Sequence, residues 1–148
     1  QGYAKAQYSL ALRYNKGEGV PQDDKEAVYW YRLAAEQGIA EAQYNLALKY
    51  NKGEGVSQDD KEAVRWYTLA AEQEHAKAQY NLGVMYALGE GVIKDYVYVH
   101  MWGNIASMNG NDKGETLRGY VAEKMTSSQI EEAQRLAREC IKKNYKGC

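Results

Sequence analysis

Few residues in this sequence have the types and spacing that catalysis or metal binding requires. The two histidines, His75 and His100, form no His-Glu-x-x-His pair and no cluster at metal-ligand spacing, so they are expected on a surface or a helix face. Neighbouring acids at 23–24 and 59–60 could act as paired carboxylates, but Asp before a helix typically caps its first turn. We therefore predict no catalytic residue, no metal site and no cofactor.

A second motif with chemical meaning is Gly-x-Gly-Val, which occurs at 17–20, 53–56 and 89–92. Glycine-rich loops can cradle phosphate, yet such loops carry a further Gly or a Lys-Ser/Thr pair, and neither follows here. Glycine also ends helices and turns the chain. The motif therefore predicts a turn between two helices.

The two cysteines, Cys140 and Cys148, are too few for a disulfide framework. If one continuous helix joined them, their Cα atoms would lie about 12 Å apart, which is beyond bridging distance. A disulfide therefore requires the helix to end between them, and Asn144 and Gly147 permit this. A local disulfide and two free thiols both stay open as alternatives.

The elements that position these residues come from a repeat of 36 residues. The spacing is shared by the tryptophans Trp30, Trp66 and Trp102 and by the glycines Gly19, Gly55 and Gly91. Residues 6–41 and 42–77 differ at eight positions, among them 9/45 and 13/49, and a divergent third copy begins at residue 78. Residues 1–5 match the end of a repeat. This predicts a fragment of a longer array whose native N-terminus is missing.

Each copy is predicted to form two amphipathic helices, because its apolar residues recur at helical spacing. They include Ala6, Leu10 and Tyr14 in the first helix and Ala27, Trp30 and Ala34 in the second. Tyr14 and its equivalents Tyr50 and Tyr86 are expected in the core. Positions 9, 13, 29 and 32 fall away from this face, so solvent is expected there. Asp23 with Glu26 has capping-box spacing.

The third copy and the C-terminal segment depart from this pattern. The run 96–99 replaces the capping box with Tyr and Val and alone would favour a strand, but the register of the repeat predicts a helix there. Two further helices are predicted at 114–124 and 130–143, the second preceded by Thr126 and Gln129 at capping-box spacing. Their richer charge suits helices that close the end of a stack.

These motifs resemble the Sel1-like repeat family, a relative of the tetratricopeptide repeats, in its bacterial type. The matching elements are Ala-x-x-x-Leu in the first helix, Gly-x-Gly-Val in the turn and Ala-x-x-Trp-x-x-x-Ala-Ala along the second helix. The middle copy carries them at Ala42, Leu46, Gly53, Gly55, Val56, Asp59, Ala63, Trp66, Ala70 and Ala71. The resemblance covers about residues 1–112. It implies an all-α, right-handed superhelix, or solenoid, of about three helix-turn-helix repeats with C-terminal capping helices.

The expected organisation is one solenoid domain over 1–148. It comprises the repeat tail 1–5, the repeats 6–41, 42–77 and 78–112, and the capping helices 113–148. A net charge of -1 provides no basic field for nucleic acid, and the longest uncharged stretch, 96–111, is too polar for a membrane helix. The resemblance favours a periplasmic or secreted setting.

The resemblance also implies a non-enzymatic scaffold or adaptor that binds a peptide or protein segment in a concave groove. By analogy with tetratricopeptide repeats, the first helix of each copy would line that groove. The candidate partner-binding residues are Tyr8, Asn15, Lys16, Tyr44, Asn51, Lys52 and Tyr80. Tyrosine offers a rigid ring with a hydroxyl, and Asn with Lys can hold a peptide backbone or a carboxylate. Equally, the three tyrosines could pack between helices.

Two other functions stay open. A cysteine-rich branch of the family is associated with penicillin binding and β-lactam hydrolysis, which makes a hydrolase of β-lactam or cell-wall type one alternative. The sequence has no Ser-x-x-Lys motif and only two cysteines. The other alternative is a structural spacer within a longer array.

Overall fold

The computed structural model describes residues 2–148, and over that range it contains eight α-helices and no strand. The helices are α1 (Gly2–Lys16), α2 (Asp24–Glu36), α3 (Ala40–Lys52), α4 (Asp60–Ala71), α5 (Ala76–Leu88), α6 (Tyr96–Met108), α7 (Asp112–Ala122) and α8 (Ser127–Lys142). The first six form three helix-turn-helix pairs. This confirms the predicted all-α repeat solenoid, including the helix that begins at Tyr96. Within residues 2–148, no helix is both long and apolar enough to cross a membrane.

Glycine and aspartate set the boundaries of the repeat helices. Gly53 ends α3 in the left-handed conformation, with φ 69°, and its N–H donates to the carbonyl oxygen of Lys49. Gly89 ends α5 in the same way, with φ 75°. Asp23 precedes α2, and its Oδ1 accepts hydrogen bonds of 2.9 and 3.1 Å from the amides two and three residues further on. The predicted turn and capping roles of these residues are confirmed.

The two capping-box sequences behave differently. At α8 the box is complete, because Thr126 Oγ1 accepts from the Gln129 amide at 3.2 Å and Gln129 Oε1 accepts from the Thr126 amide at 2.9 Å. At α2 the carboxylate of Glu26 accepts instead from Trp30 Nε1 at 3.2 Å. The start of α2 is therefore capped by the Asp23 side chain, and Glu26 holds the indole of Trp30.

The chain forms two compact units, which we describe separately: the described residues up to Trp66, and Tyr67–Cys148. In the first unit, α1 and α3 each pack against α2. Its core consists mainly of alanines, with Tyr31 and Leu46 as large buried side chains. The buried alanines are Ala4, Ala11, Ala27, Ala34, Ala35, Ala42, Ala47 and Ala63. Small side chains at the contacts allow the helix axes to approach closely.

Two expectations about the core are corrected. Ala6 is exposed, whereas its equivalent Ala42 is buried, because α3 packs on the preceding α2 and no helix precedes α1 in the described chain. Tyr14, Tyr50 and Tyr86 are only half-buried. Tyr50 shows the reason in the first unit, since its hydroxyl oxygen accepts a hydrogen bond of 2.6 Å from the exposed Arg32. A tyrosine whose hydroxyl needs a polar partner keeps that end near the surface.

In the second unit, α6 lies between α5, α7 and α8 and packs against all three. Its Val99, Trp102 and Ile105 are buried. The backbones of α6 and α7 meet at two glycines, because a Cβ atom on Gly114 would lie 2.5 Å from the carbonyl oxygen of Gly103. Only glycine fits at position 114 unless α6 moves.

The chain reverses after α8 through three residues in the left-handed conformation, Asn144, Tyr145 and Gly147. This reversal brings the Cα atoms of Cys140 and Cys148 to 5.4 Å, and their sulfur atoms form a disulfide. Helix α8 thus ends between the two cysteines, as the sequence analysis required for a disulfide between them.

The C-terminal tail also contacts the segment after α4. The Gly147 amide donates a hydrogen bond of 2.9 Å to Glu72 Oε1, and Lys146 Nζ lies 3.7 Å from Glu72 Oε2. Tyr145 donates from its hydroxyl to Asn109 Oδ1 at 3.5 Å. Residues 145–147 therefore connect α8 to residues that are distant in the sequence but lie in the same unit.

Candidate functional site

Polar side chains surround a pocket in the first unit, with a volume of about 120 Å³. It is lined by Asn15 from α1, Tyr31 from α2, Asn45, Leu48, Lys49 and Lys52 from α3, and Glu54 from the turn after α3. Six of these seven side chains carry polar atoms. We call this site the α1–α3 pocket.

Lys49 lies in the wall of the α1–α3 pocket and is the most buried charged residue of the first unit in the described chain, with 7% of its surface exposed. Its Nζ lies 2.7 Å from Asp24 Oδ1 and 3.0 Å from Glu54 Oε2. Burial acts to lower the pKa of Lys49, but hydrogen bonds and charge attraction from Asp24 and Glu54 outweigh it and raise the pKa. Lys49 is therefore a cation already paired with two anions.

Close approach of the turn to α2 brings these charges together. Gly55 has φ 72°, and a Cβ atom there would lie 2.2 Å from the carbonyl oxygen of Asp24. The turn after α3 can therefore lie against the start of α2 only because residue 55 is glycine. This contact allows both Asp24 and Glu54 to lie within 3.0 Å of Lys49 Nζ.

Two tyrosines extend the pocket wall towards α1. Tyr31 is almost fully buried, with 1% exposed, and burial raises the pKa of its phenol far above the usual value. The ring of Tyr8 lies 6.0 Å from that of Tyr31, and the Tyr8 hydroxyl accepts a hydrogen bond of 3.4 Å from Asn45 Nδ2. Burial also raises the pKa of Tyr8. Both phenols are therefore neutral donors or acceptors at physiological pH.

The structure brings some of the predicted partner-binding residues together and separates others. Asn15 and Lys52 line the α1–α3 pocket, and Tyr8 lies beside it through its bond to Asn45. Lys16 is exposed, and its Nζ lies 3.8 Å from Glu18 Oε1. Asn51 donates a hydrogen bond of 3.0 Å to Asp60 Oδ1.

The remaining two predicted residues lie outside the lining of the pocket. Tyr44 is half-buried on α3, and Tyr80 is half-buried on α5 in the second unit. Sequence reasoning missed Tyr31, Asn45, Lys49 and Glu54 as pocket residues. A signal for two of them was present, because 45 and 49 are among the eight positions at which the first two copies differ.

The two histidines take structural positions. His75 precedes α5, and its Nδ1 accepts a hydrogen bond of 3.2 Å from the Ala78 amide. His100 lies on the packed face of α6 with 5% exposed, and its Nδ1 has no hydrogen-bond partner in the described chain. Burial, and then the nearby Arg118 charge, lower the pKa of His100. Among residues 2–148, no three His, Cys, Asp or Glu side chains are grouped to hold a metal ion.

Repeated helix pairs, without a strand in the part of the chain that the structure describes, define the class of protein as an all-α repeat solenoid. A family model described as Sel1 repeat matches residues 4–39, 40–75 and 76–111. The chain belongs to the Sel1 repeat family. Members of this family are generally protein-interaction scaffolds, and their fold is typically non-enzymatic.

Two solved structures show the same fold. A protective antigen present in uropathogenic Escherichia coli strains, which displays an SLR fold, aligns with a TM-score of 0.79 and 31% identity over 98% of this chain. The chain spans 40% of the length of that structure. A Sel1 repeat protein from Oxalobacter formigenes aligns with a TM-score of 0.72 and 40% identity, over 78% of this chain and 87% of the other. No curated protein matches the chain significantly.

Proposed function

We propose that this protein is an interaction module that binds a peptide segment of a partner protein at the α1–α3 pocket. The observation that supports the proposal most is a set of unused polar groups at the pocket. The Asn15 amide and the Lys52 ammonium have no hydrogen-bond or ion-pair partner among the described residues. Polar groups held in a concave site without partners are available to an incoming ligand.

The surroundings of these groups also suit a peptide. Asn15 and Lys52 lie on different helices, so a ligand that reaches both is held between α1 and α3. Tyr8 adds a half-buried ring beside the pocket, and aromatic rings supply contact area at little cost in side-chain entropy. The pocket is small, so it would hold one side chain of an extended segment.

The double variant Asn15→Ala, Lys52→Ala tests this proposal. Peptides selected from a random library on the wild-type protein are expected to bind the double variant at least about tenfold more weakly, because each lost hydrogen bond contributes about 1 kcal/mol. Fluorescence anisotropy with labelled peptides measures the affinities.

Lys61→Ala is the matched control, because Lys61 is an exposed lysine outside the pocket. Circular dichroism should show that all variants keep their helices. Selected peptides that bind the double variant as tightly as the wild type would place the binding surface elsewhere. If the library yields no binder at all, the spacer alternative is favoured.

A further inference from the structure

We infer that the α1–α3 pocket is selective for an uncharged carboxamide, the side chain of Gln or Asn in a partner peptide. This inference rests on the proposed function and adds the chemistry of the group that enters. Its basis is the charge balance around Lys49, together with the mixture of donors and acceptors in the pocket wall.

The four charged groups in or beside the pocket, the cations Lys49 and Lys52 and the anions Asp24 and Glu54, carry formal charges that sum to zero. Lys49 is paired with both Asp24 and Glu54, at 2.7 and 3.0 Å. An incoming carboxylate would be a third anion around one ammonium group, and it would lose its hydration to reach it. An incoming ammonium or guanidinium would meet the charges of Lys49 and Lys52, and the two carboxylates that could attract it are already paired with Lys49. Either charged side chain is therefore disfavoured.

Lys52 completes this balance but does not form a strong site for an anion. It is exposed at the edge of the pocket, where water screens its charge, and an exposed ion pair with it would contribute little. Its ammonium can still donate a hydrogen bond to a carbonyl oxygen. Lys52 therefore favours an acceptor group at the pocket mouth without requiring that group to be charged.

The hydrogen-bonding groups match a carboxamide. Asn45 Nδ2 donates to Tyr8, which leaves the Asn45 Oδ1 as an acceptor, and the Asn15 amide can both donate and accept. A carboxamide brings two N–H donors and one carbonyl acceptor, so it can bond to both kinds of group at once. A carboxylate can only accept hydrogen bonds, so it could not donate one to Asn45 Oδ1.

The size of the pocket agrees with this assignment. Its volume of about 120 Å³ is well above the ~10–15 Å³ that one water molecule requires and well below the ~300–1,000 Å³ of pockets that hold a drug-sized ligand. This is room for the end of one side chain and too little for a folded element of a partner.

Three peptides that differ at one residue test the inference: acetylated and amidated Ala-Ala-X-Ala-Ala, with X as Gln, Glu or Ala. Gln and Glu have the same shape and differ in charge and in donors. We expect the Gln peptide to bind about 5- to 100-fold more tightly than the Glu peptide, which is the range expected for leaving a buried polar group unpaired. NMR shifts of the Asn15 and Asn45 side-chain NH₂ signals in the wild-type protein report on binding in the pocket.

A variant of one carboxylate tests whether the charges around Lys49 set the preference between the two peptides. Glu54→Gln removes one of the two anions at Lys49, so the preference for the Gln peptide over the Glu peptide should fall at least about threefold. Glu54 is partly exposed, with 45% of its side chain accessible, so this variant should fold. Glu36→Gln changes the net charge equally at an exposed position outside the pocket, and it should leave the preference unaltered.

The outcomes separate the inference from the proposed function. Tighter binding of the Glu peptide, or equal binding of the Gln and Ala peptides, would overturn the carboxamide assignment and leave peptide binding at the pocket intact. If none of the three peptides shifts the Asn15 and Asn45 signals at millimolar concentration, and library-selected peptides shift neither, both the inference and the proposed function are wrong.

Discussion

At the residue scale, Lys49 differs most from what its sequence position suggests. Its equivalent in the preceding copy, Arg13, is exposed as the helical wheel predicts, whereas Lys49 is buried between two carboxylates. The wheel describes one helix and cannot include Asp24, which is 25 residues away and approaches only when the turn packs on α2. The position of Lys49 could therefore be flagged from the sequence as variable, but its burial could not be predicted.

Replacing Lys49 with Met should lower the free energy of unfolding by about 1–2 kcal/mol. Methionine keeps a straight apolar chain but leaves Asp24 and Glu54 facing each other without a cation. The loss is smaller than for a fully buried pair because 38% of Asp24 and 45% of Glu54 remain exposed. Urea denaturation measures the difference, with the exposed Lys61→Met as control. An equal effect of the two substitutions would contradict a structural role for the ion cluster.

His100 should make the protein less stable in mild acid. Burial and Arg118 lower its pKa in the folded state below the usual value of about 6.5, so the unfolded chain binds a proton first as the pH falls. Stability is unaffected well above pH 6.5 and declines as the pH drops from there towards the folded-state pKa. The slope contributed by this group is at most about 1.4 kcal/mol per pH unit.

Urea unfolding of the wild type and of the variant His100→Asn at about pH 7.5, 6.5 and 5.5 isolates this contribution. The unfolding free energy of the wild type minus that of the variant should decrease as the pH falls. Only the wild type loses stability through this position, because an asparagine side chain does not titrate. A difference that stays constant over this range would show that His100 binds its proton equally well in the folded and unfolded states.

At the element scale, the helices of the repeats were predictable because the same turn glycines and the same capping aspartate recur in each copy. The last two helices were predicted at 114–124 and 130–143 and are found at Asp112–Ala122 and Ser127–Lys142. Both begin earlier than expected, directly after the caps Asn111 and Thr126. What the sequence did not indicate is how closely these helices approach their neighbours, since a single glycine in a helix gives no sign of what packs against it.

Gly114→Ala should destabilise the second unit by about 2–3 kcal/mol, because the new methyl group overlaps the backbone of α6. Gly119→Ala is a control in the same helix. Position 119 has open space around it, and alanine there should raise stability by about 0.5–1 kcal/mol through its better helix propensity. Thermal unfolding followed by circular dichroism compares them. Effects of the same sign would argue against backbone contact between α6 and α7.

At the scale of the whole molecule, the pocket that we propose as the binding site occurs at one place along a regular repeat. The α1–α3 pocket depends on Asn45 and Lys49, two of the few positions where the second copy departs from the first. The general role of a Sel1 repeat protein followed from the motifs. The position of the pocket did not, because it depends on contacts between consecutive repeats rather than on residues within one.

The C-terminal disulfide should make the molecule more stable under oxidising conditions. It closes a short loop of sequence separation 8, for which chain entropy gives about 2–3 kcal/mol. Thiol titration in denaturant should find no free thiol before reduction and two after it. Cys140→Ser with Cys148→Ser should unfold at lower urea concentration than the oxidised wild type. Two thiols that react without prior reduction would show that the pair is not bonded in solution.

The same disulfide sets the path of mechanical load through this end of the chain. A force applied at Cys148 passes through the sulfur atoms to Cys140 on α8, so residues 141–147 carry almost none of it. The hydrogen bond between the tail and Glu72 therefore bears little of the force. The packing of α8 against α6 should be the first contact that breaks. In single-molecule pulling, reduction of the bond should add one early, weak extension step as the tail detaches.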